Sequence, residues 1–155
     1  LDDKELTPII EKTEQIYKDL NRVNYEFKDF QTLKTWAEIS VEMLAEKQVI
    51  CVLNTRKHAF ELWTECSKKL KNIEVKKERG YLFHLSSMMC AEHRLNTIQK
   101  IRQILRINSK RAEKKRALIP CRVVSTQLVE AGVDLDFPVL FRAIAPLDSI
   151  VQAAG

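Results

Sequence analysis

Glycine is scarce in this 155-residue chain, which holds only three, Gly80, Gly132 and Gly155. They cannot spell Gly-x-x-x-x-Gly-Lys-Ser/Thr, the loop that cradles β- and γ-phosphates and supplies a hydroxyl for magnesium. No Asp-Glu pair closes an apolar strand to hold that metal. The chain on its own is therefore not expected to hydrolyse a nucleoside triphosphate. Cysteine is nearly as sparse. Cys51, Cys66, Cys90 and Cys121 form no Cys-x-x-Cys pair, and His58, His84 and His93 are dispersed. A zinc site is not expected. Two of the cysteines fall in apolar strands, which suits reduced core thiols in a cytoplasmic protein. No run approaches the ~20 apolar residues of a membrane span. The first residues, Leu-Asp-Asp-Lys-Glu, contain no apolar signal segment. They also contain no Met, so a fragment of a longer protein is expected.

Charge is plentiful but unevenly placed. The formal net charge is +5, and the stretch from Arg106 to Arg116, with six basic residues and one acid, accounts for all of it. Such a run reads as a solvated mobile loop or as an electrostatic contact for a phosphate backbone.

Periodicity alternates along the chain. Residues 1–29 read as a linker or edge segment, with strand-like alternation at Val23, Tyr25 and Phe27. Between Thr32 and Lys47 the period becomes helical, with Leu33, Trp36, Ala37, Val41 and Leu44 on one stripe. The unbroken apolar run Val49–Leu53 predicts a strand covered on both faces, as in a parallel sheet. A second helix follows, with Ala59, Leu62, Trp63, Cys66 and Leu70 inward and Thr55 as its cap. Tyr81–Leu85 is the next strand, and a helix with Leu95, Ile98, Ile101, Arg102 and Leu105 in register comes after it. Strands at Arg122–Ser125 and Val139–Ala145 complete the pattern, and Asp148 is placed to cap a last helix, Ser149–Gly155. Strand and helix alternating at these lengths imply right-handed crossovers. The expected fold class is α/β, a mainly parallel sheet covered by helices on both faces.

Ligands of such sheets gather at the carboxyl ends of the strands, where backbone groups and helix starts converge. Three stretches stand there. Asn54-Thr55-Arg56 ends a strand and opens a helix, whose first amides attract anions. Taken alone, the tripeptide reads equally as a cap and a surface arginine. Leu85-Ser86-Ser87 leads through a loop to His93-Arg94 at the start of a helix, a poor place for a cation unless an anion lies alongside, either a phosphate or the neighbouring Glu92. Ser125-Thr126 ends the third strand, with Gly132 and Asp134 following in the spacing Thr-x-x-x-x-x-Gly-x-Asp.

In this order the stretches resemble motifs of superfamily 2 helicases. The wording Ser-Thr-Gln-Leu-Val-Glu-Ala-Gly-Val-Asp-Leu-Asp-Phe is closest to one branch, the CRISPR-associated helicase–nuclease of type I interference. The resemblance runs from about Arg22 to Gly155. It ends within Gln152-Ala153-Ala154-Gly155, before the arginines that would reach the γ-phosphate. Ala153 stands where DEAD-box relatives carry Arg. The resemblance implies the second of two RecA-like domains, residues 30–155, in a longer ATP-dependent helicase with a separate HD-type metal nuclease domain.

It implies nucleic-acid contacts by Asn54, Thr55, Arg56, Arg94, Ser125 and Thr126. ATP contacts by Gly132, Asp134, Gln152 and Gly155 are implied as well. ATP and Mg belong to the parent protein and not to this piece alone. The implied partners are single-stranded DNA, the first RecA-like domain, the nuclease domain and the RNA-guided surveillance complex. A superfamily 2 RNA helicase domain, or a nucleic-acid-binding module without motor activity, remains as the alternative.

Overall fold

The computed structural model describes residues 24, 26, 33–127 and 135–154; for 76, 77 and 151–154 only the backbone is described. The chain separates into two compact units, Leu1–Thr32 and Leu33–Gly155. Every helix and strand among the described residues lies in the second unit. The edge strand expected near Arg22–Phe27 falls outside the described residues, save for Asn24 and Glu26, which are exposed and in no strand.

In order the elements are α1 (Trp36–Ala45), β1 (Gln48–Leu53), α2 (Arg56–Lys71), α3 (Lys76–Arg79), β2 (Tyr81–Leu85) and α4 (Ala91–Glu113). Then come β3 (Cys121–Thr126), β4 (Val139–Arg142) and α5 (Leu147–Ala154). The strands form one sheet in the order β2-β3-β1-β4, with every pairing parallel. The chain leaves β1 towards β2 and returns from β2 to β3 in the opposite sense. Right-handed crossovers in opposite senses put their helices on opposite faces, and the core divides accordingly. Val49, Cys51, Leu53 and Val124 pack with Met43 of α1 and with Ala59, Leu62 and Cys66 of α2. The alternate residues Ile50, Val52, Cys121 and Val123 pack with Ile98, Ile101 and Ile104 of α4. The period of two thus feeds apolar side chains to both faces. The three-layer α/β fold read from the sequence is the observed one.

Three expectations need correction. The α1 stripe is rotated: Ser40 and Met43 are buried with Trp36, Ile39 and Leu44 against the core, while Leu33 is 94% and Val41 56% exposed. Thr35 and Glu38 form a capping box that starts α1 three residues later than the apolar pattern suggests. In α4, Thr97, Ile98, Ile101, Ile104 and Asn108 face inward, whereas Leu95 and Arg102 face outward.

The basic run is the second correction. It is chiefly the last turns of α4, not a loop. Asn108 explains why the helix continues: its side chain donates to Ile119 O and accepts from Ile119 N, anchoring the returning strand. The helix ends as Arg116 N donates to Arg111 O and Lys115 N to Ala112 O, with Lys115 at φ 51°. That is a Schellman ending with Lys where Gly is usual.

Third, β4 stops at Arg142, and α5 begins at Leu147 with Ile150 N bonded to Pro146 O. Asp148 therefore lies inside the first turn instead of capping it.

Two residues level the amino ends of the strands. Gly80, at φ 63°, lies so close to Pro120 that a Cβ would sit 2.3 Å from its carbonyl oxygen, and the next amide, Tyr81 N, donates to that oxygen at 2.8 Å. Arg122, 3% exposed within β3, donates to Leu44 O, Glu46 O and Arg79 O. It satisfies carbonyls at the ends of α1 and α3 that have no intrahelical partner.

Candidate nucleic-acid interface

Strand register sets the geometry of the site. Leu53 pairs with Thr126, Leu85 with Ser125 and Val52 with Arg142, so the four strands end level at one rim. Along it, in spatial order, stand the Ser86–Cys90 loop and the start of α4, then Thr126, then Asn54-Thr55 and the start of α2. The turn into α5 completes it. Neighbouring strands lie about 4.8 Å apart, so the first three groups share a short arc.

Thr55 is the N-cap of α2, and its hydroxyl accepts from His58 N at 3.1 Å. The amides of Arg56 and Lys57 open the helix ahead of that capped one and point towards the rim, as amides in a first turn do. Arg56 extends its guanidinium to the sulfur of Met88, so α2 meets the loop after β2. At the start of α4 the N-cap is Cys90, which makes no side-chain capping bond. Arg94, half-buried, occupies that first turn, and its amide donates to Cys90 O. Thr126 is 8% exposed.

Two expected contacts are placed differently. Ser125 is wholly buried, and its hydroxyl donates to Thr126 O at 2.8 Å, so the rim hydroxyl is that of Thr126. Asn54 is braced at both ends of its carboxamide. Nδ2 donates to Ile144 O at 2.7 Å, and Oδ1 accepts from Arg142 Nη1 at 2.6 Å. Arg142 also reaches Ala143 O. This brace ties the end of β1 to the end of β4 and was missed in the sequence. The signal was present in Val139-Leu140-Phe141-Arg142, an apolar strand that closes on a cation.

Gly132, Asp134 and Gly155, assigned to ATP by resemblance, lie outside the described residues; Gln152 is in α5, and only its backbone is described. Large apolar side chains stand open at the same rim: Met88 is 73%, Ile144 67% and Leu147 72% exposed.

Burial tunes several groups near the sheet. Burial pushes the thiols of Cys51 and Cys121 up to about 12 and that of Cys66 to about 11, which keeps them protonated. Cys90, at the rim, is exposed. No helix among the described residues is long and apolar enough to cross a membrane.

Comparison with known proteins agrees with this fold. The family described as CRISPR-associated nuclease/helicase Cas3, C-terminal, matches residues 45–155. A CRISPR-associated nuclease/helicase Cas3 of Methanothermobacter thermautotrophicus is 31% identical over 111 residues, 72% of this chain and 11% of that protein. One of Haloferax volcanii is 68% identical over 37 residues, 24% of this chain and 4% of its own length. The chain thus spans a small part of the relatives it matches. Among solved structures, T. fusca Cas3-ATP superposes with a TM-score of 0.62 at 20% identity, covering 83% of this chain and 14% of that one. T. fusca Cas3-AMPPNP gives 0.58 at 19% identity, covering 77% and 12%. Because the family match takes in well over half of the chain, the chain belongs to the C-terminal region of the CRISPR-associated nuclease/helicase Cas3 family.

Proposed function

We propose that residues 30–155 are the second motor domain of an ATP-dependent single-stranded DNA helicase of CRISPR type I interference, with residues 1–29 as a linker. The observation that carries this reading is the level rim, where Thr126, the opening amides of α2, Arg56 and the uncapped start of α4 with Arg94 lie side by side. Groups of these kinds hold successive backbone phosphates and read no bases, as a translocating motor needs. In this scheme Thr55 orients the helix start and Asn54, held by Arg142, fixes the end of β1. Arg56, Arg94 and Thr126 make the contacts.

ATP, with its Mg, is proposed to bind between this domain and a first RecA-like domain of the same protein; T. fusca Cas3, whose fold this chain shares, was crystallised with ATP. Gly132, Asp134, Gln152 and Gly155 would face it. The open apolar residues Ile144 and Leu147 support a face that another domain covers. The parent protein is proposed to be cytoplasmic, to carry the HD-type nuclease domain and to be recruited by the RNA-guided surveillance complex.

Arg56→Ala in the full-length protein tests the reading. Affinity for single-stranded DNA should fall alike across sequences, and the slope of log affinity against log salt should drop by about 1. A loss confined to certain sequences, an unchanged slope, or ATPase stimulation by RNA and not DNA would overturn it.

A further inference from the structure

The helical form of the basic run gives it a geometry that a loop lacks. Gln99, Arg102, Gln103, Arg106, Ile107 and Lys110 are exposed and line one open depression. They stand opposite the buried face formed by Ile98, Ile101, Ile104 and Asn108. Arg102, Arg106 and Lys110 recur every four residues, which at 1.5 Å per residue sets successive cations about 6 Å apart in one row. Between Gln99 and Lys110 the sequence has no acid. Among the described residues neither Arg106 nor Lys110 has a carboxylate at ion-pair distance. Arg106 lies about 18 Å along the helix from Arg94, and α4 covers the face of the sheet opposite α1 and α2. The row is therefore separate from the rim.

We infer that the outer face of α4 is a second nucleic-acid contact, and that its ligand is the phosphate backbone of double-stranded DNA. Charge density selects the duplex. A row that works by charge alone gains most from the polymer with the denser charge, one phosphate per about 1.7 Å of axis in the duplex against one per about 3.4 Å along one strand. Gln99 and Gln103 add neutral hydrogen-bond donors beside the cations. In a motor whose rim grips one strand, this face would hold unopened duplex against the back of the domain. That role goes beyond the rim contacts, and the face can be tested without them.

The test uses the 155-residue chain with fluorescent duplex and single strands of equal length, titrated between about 50 and 200 mM salt. Arg106→Gln/Lys110→Gln, exposed and helix-compatible, should weaken duplex binding and flatten its slope by about 1.8, two phosphate contacts at 0.9 each. Single-strand binding should change little. Arg106→Lys/Lys110→Arg keeps both charges and should keep the duplex slope, which separates loss of charge from loss of fold. Arg56→Ala serves as the rim control and should show the reverse preference. A duplex slope unchanged in the double glutamine variant overturns the inference. So does an equal loss on both substrates.

Discussion

Arg122 is the residue whose role contradicts its surroundings. A guanidinium in the middle of a sheet, among Cys121, Val123 and Val124, has no carboxylate among the described residues to neutralise it; burial lowers its pKa from the ordinary arginine value. It stays there because three backbone carbonyls at the ends of two helices need donors, and its planar fork reaches all three. Arg122→Met would leave those oxygens buried without donors, at about 1–3 kcal/mol for each group left unsatisfied. The expected outcome is a total loss of at least about 3 kcal/mol, read as a lower urea midpoint with an unchanged slope. A loss under about 1 kcal/mol would show that water replaces the guanidinium at no cost. Nothing in Cys-Arg-Val-Val announces this. The residue type says cation, and only the arrival of α1 and α3 beside β3 says which oxygens it serves.

Among the elements, α4 departs furthest from what its sequence suggests. Its twenty-three residues pass through a run of charge that resembles a solvated loop. Helix propensity in Lys-Arg-Ala-Glu-Lys-Lys is high, and cations suit a helix C-terminus. The buried Asn108 fixes where the following chain turns back. The strained point is Lys115, left-handed at φ 51°. A side chain there costs about 1–2 kcal/mol, part of which glycine gives back through its freer unfolded state. Lys115→Gly should therefore stabilise the domain by about 0.5–1 kcal/mol, or about 2–4 °C in Tm. A scanning calorimetry midpoint that stays put or falls would contradict the Schellman ending. The α1 stripe was misjudged for a related reason. Leu33 and Val41 are apolar, yet the capping box at Thr35 sets the phase, and packing on α2 kept Trp36 and Leu44 of the expected stripe and added Ile39 and Met43 in place of Leu33 and Val41.

For the molecule as a whole, the clearest solution handle is the response to acid. His84, in β2 with its ring 6.1 Å from that of Trp63, has its pKa lowered from 6.5 by burial. The unfolded chain then binds a proton more readily than the folded one. Stability is complete above the unfolded value of about 6.5 and declines as pH falls below it. Glu38, whose carboxyl Thr35 holds below its ordinary value, acts only in more acidic solution. Urea midpoints should thus drop between about pH 7.5 and 5.5, and His84→Phe should remove most of that drop. A variant that keeps the full drop would assign it to other groups.

The sequence by itself determined the order of strands and main helices, the parallel sheet and the three strand ends that meet at the rim. Unbroken apolar runs such as Val49–Leu53, followed by capped helices, are compatible with little else. It also carried the motif words by which the family is known. Tertiary structure alone decided which polar groups at those ends are buried or braced and which reach the rim. Ser125 and Thr126 are neighbours in sequence, yet register in a parallel sheet buries the first entirely and leaves the second at the rim. Asn54 is held by Arg142, eighty-eight residues away. Partners that distant are chosen by how strands align and helices pack, and a local pattern of residue types holds no record of that choice.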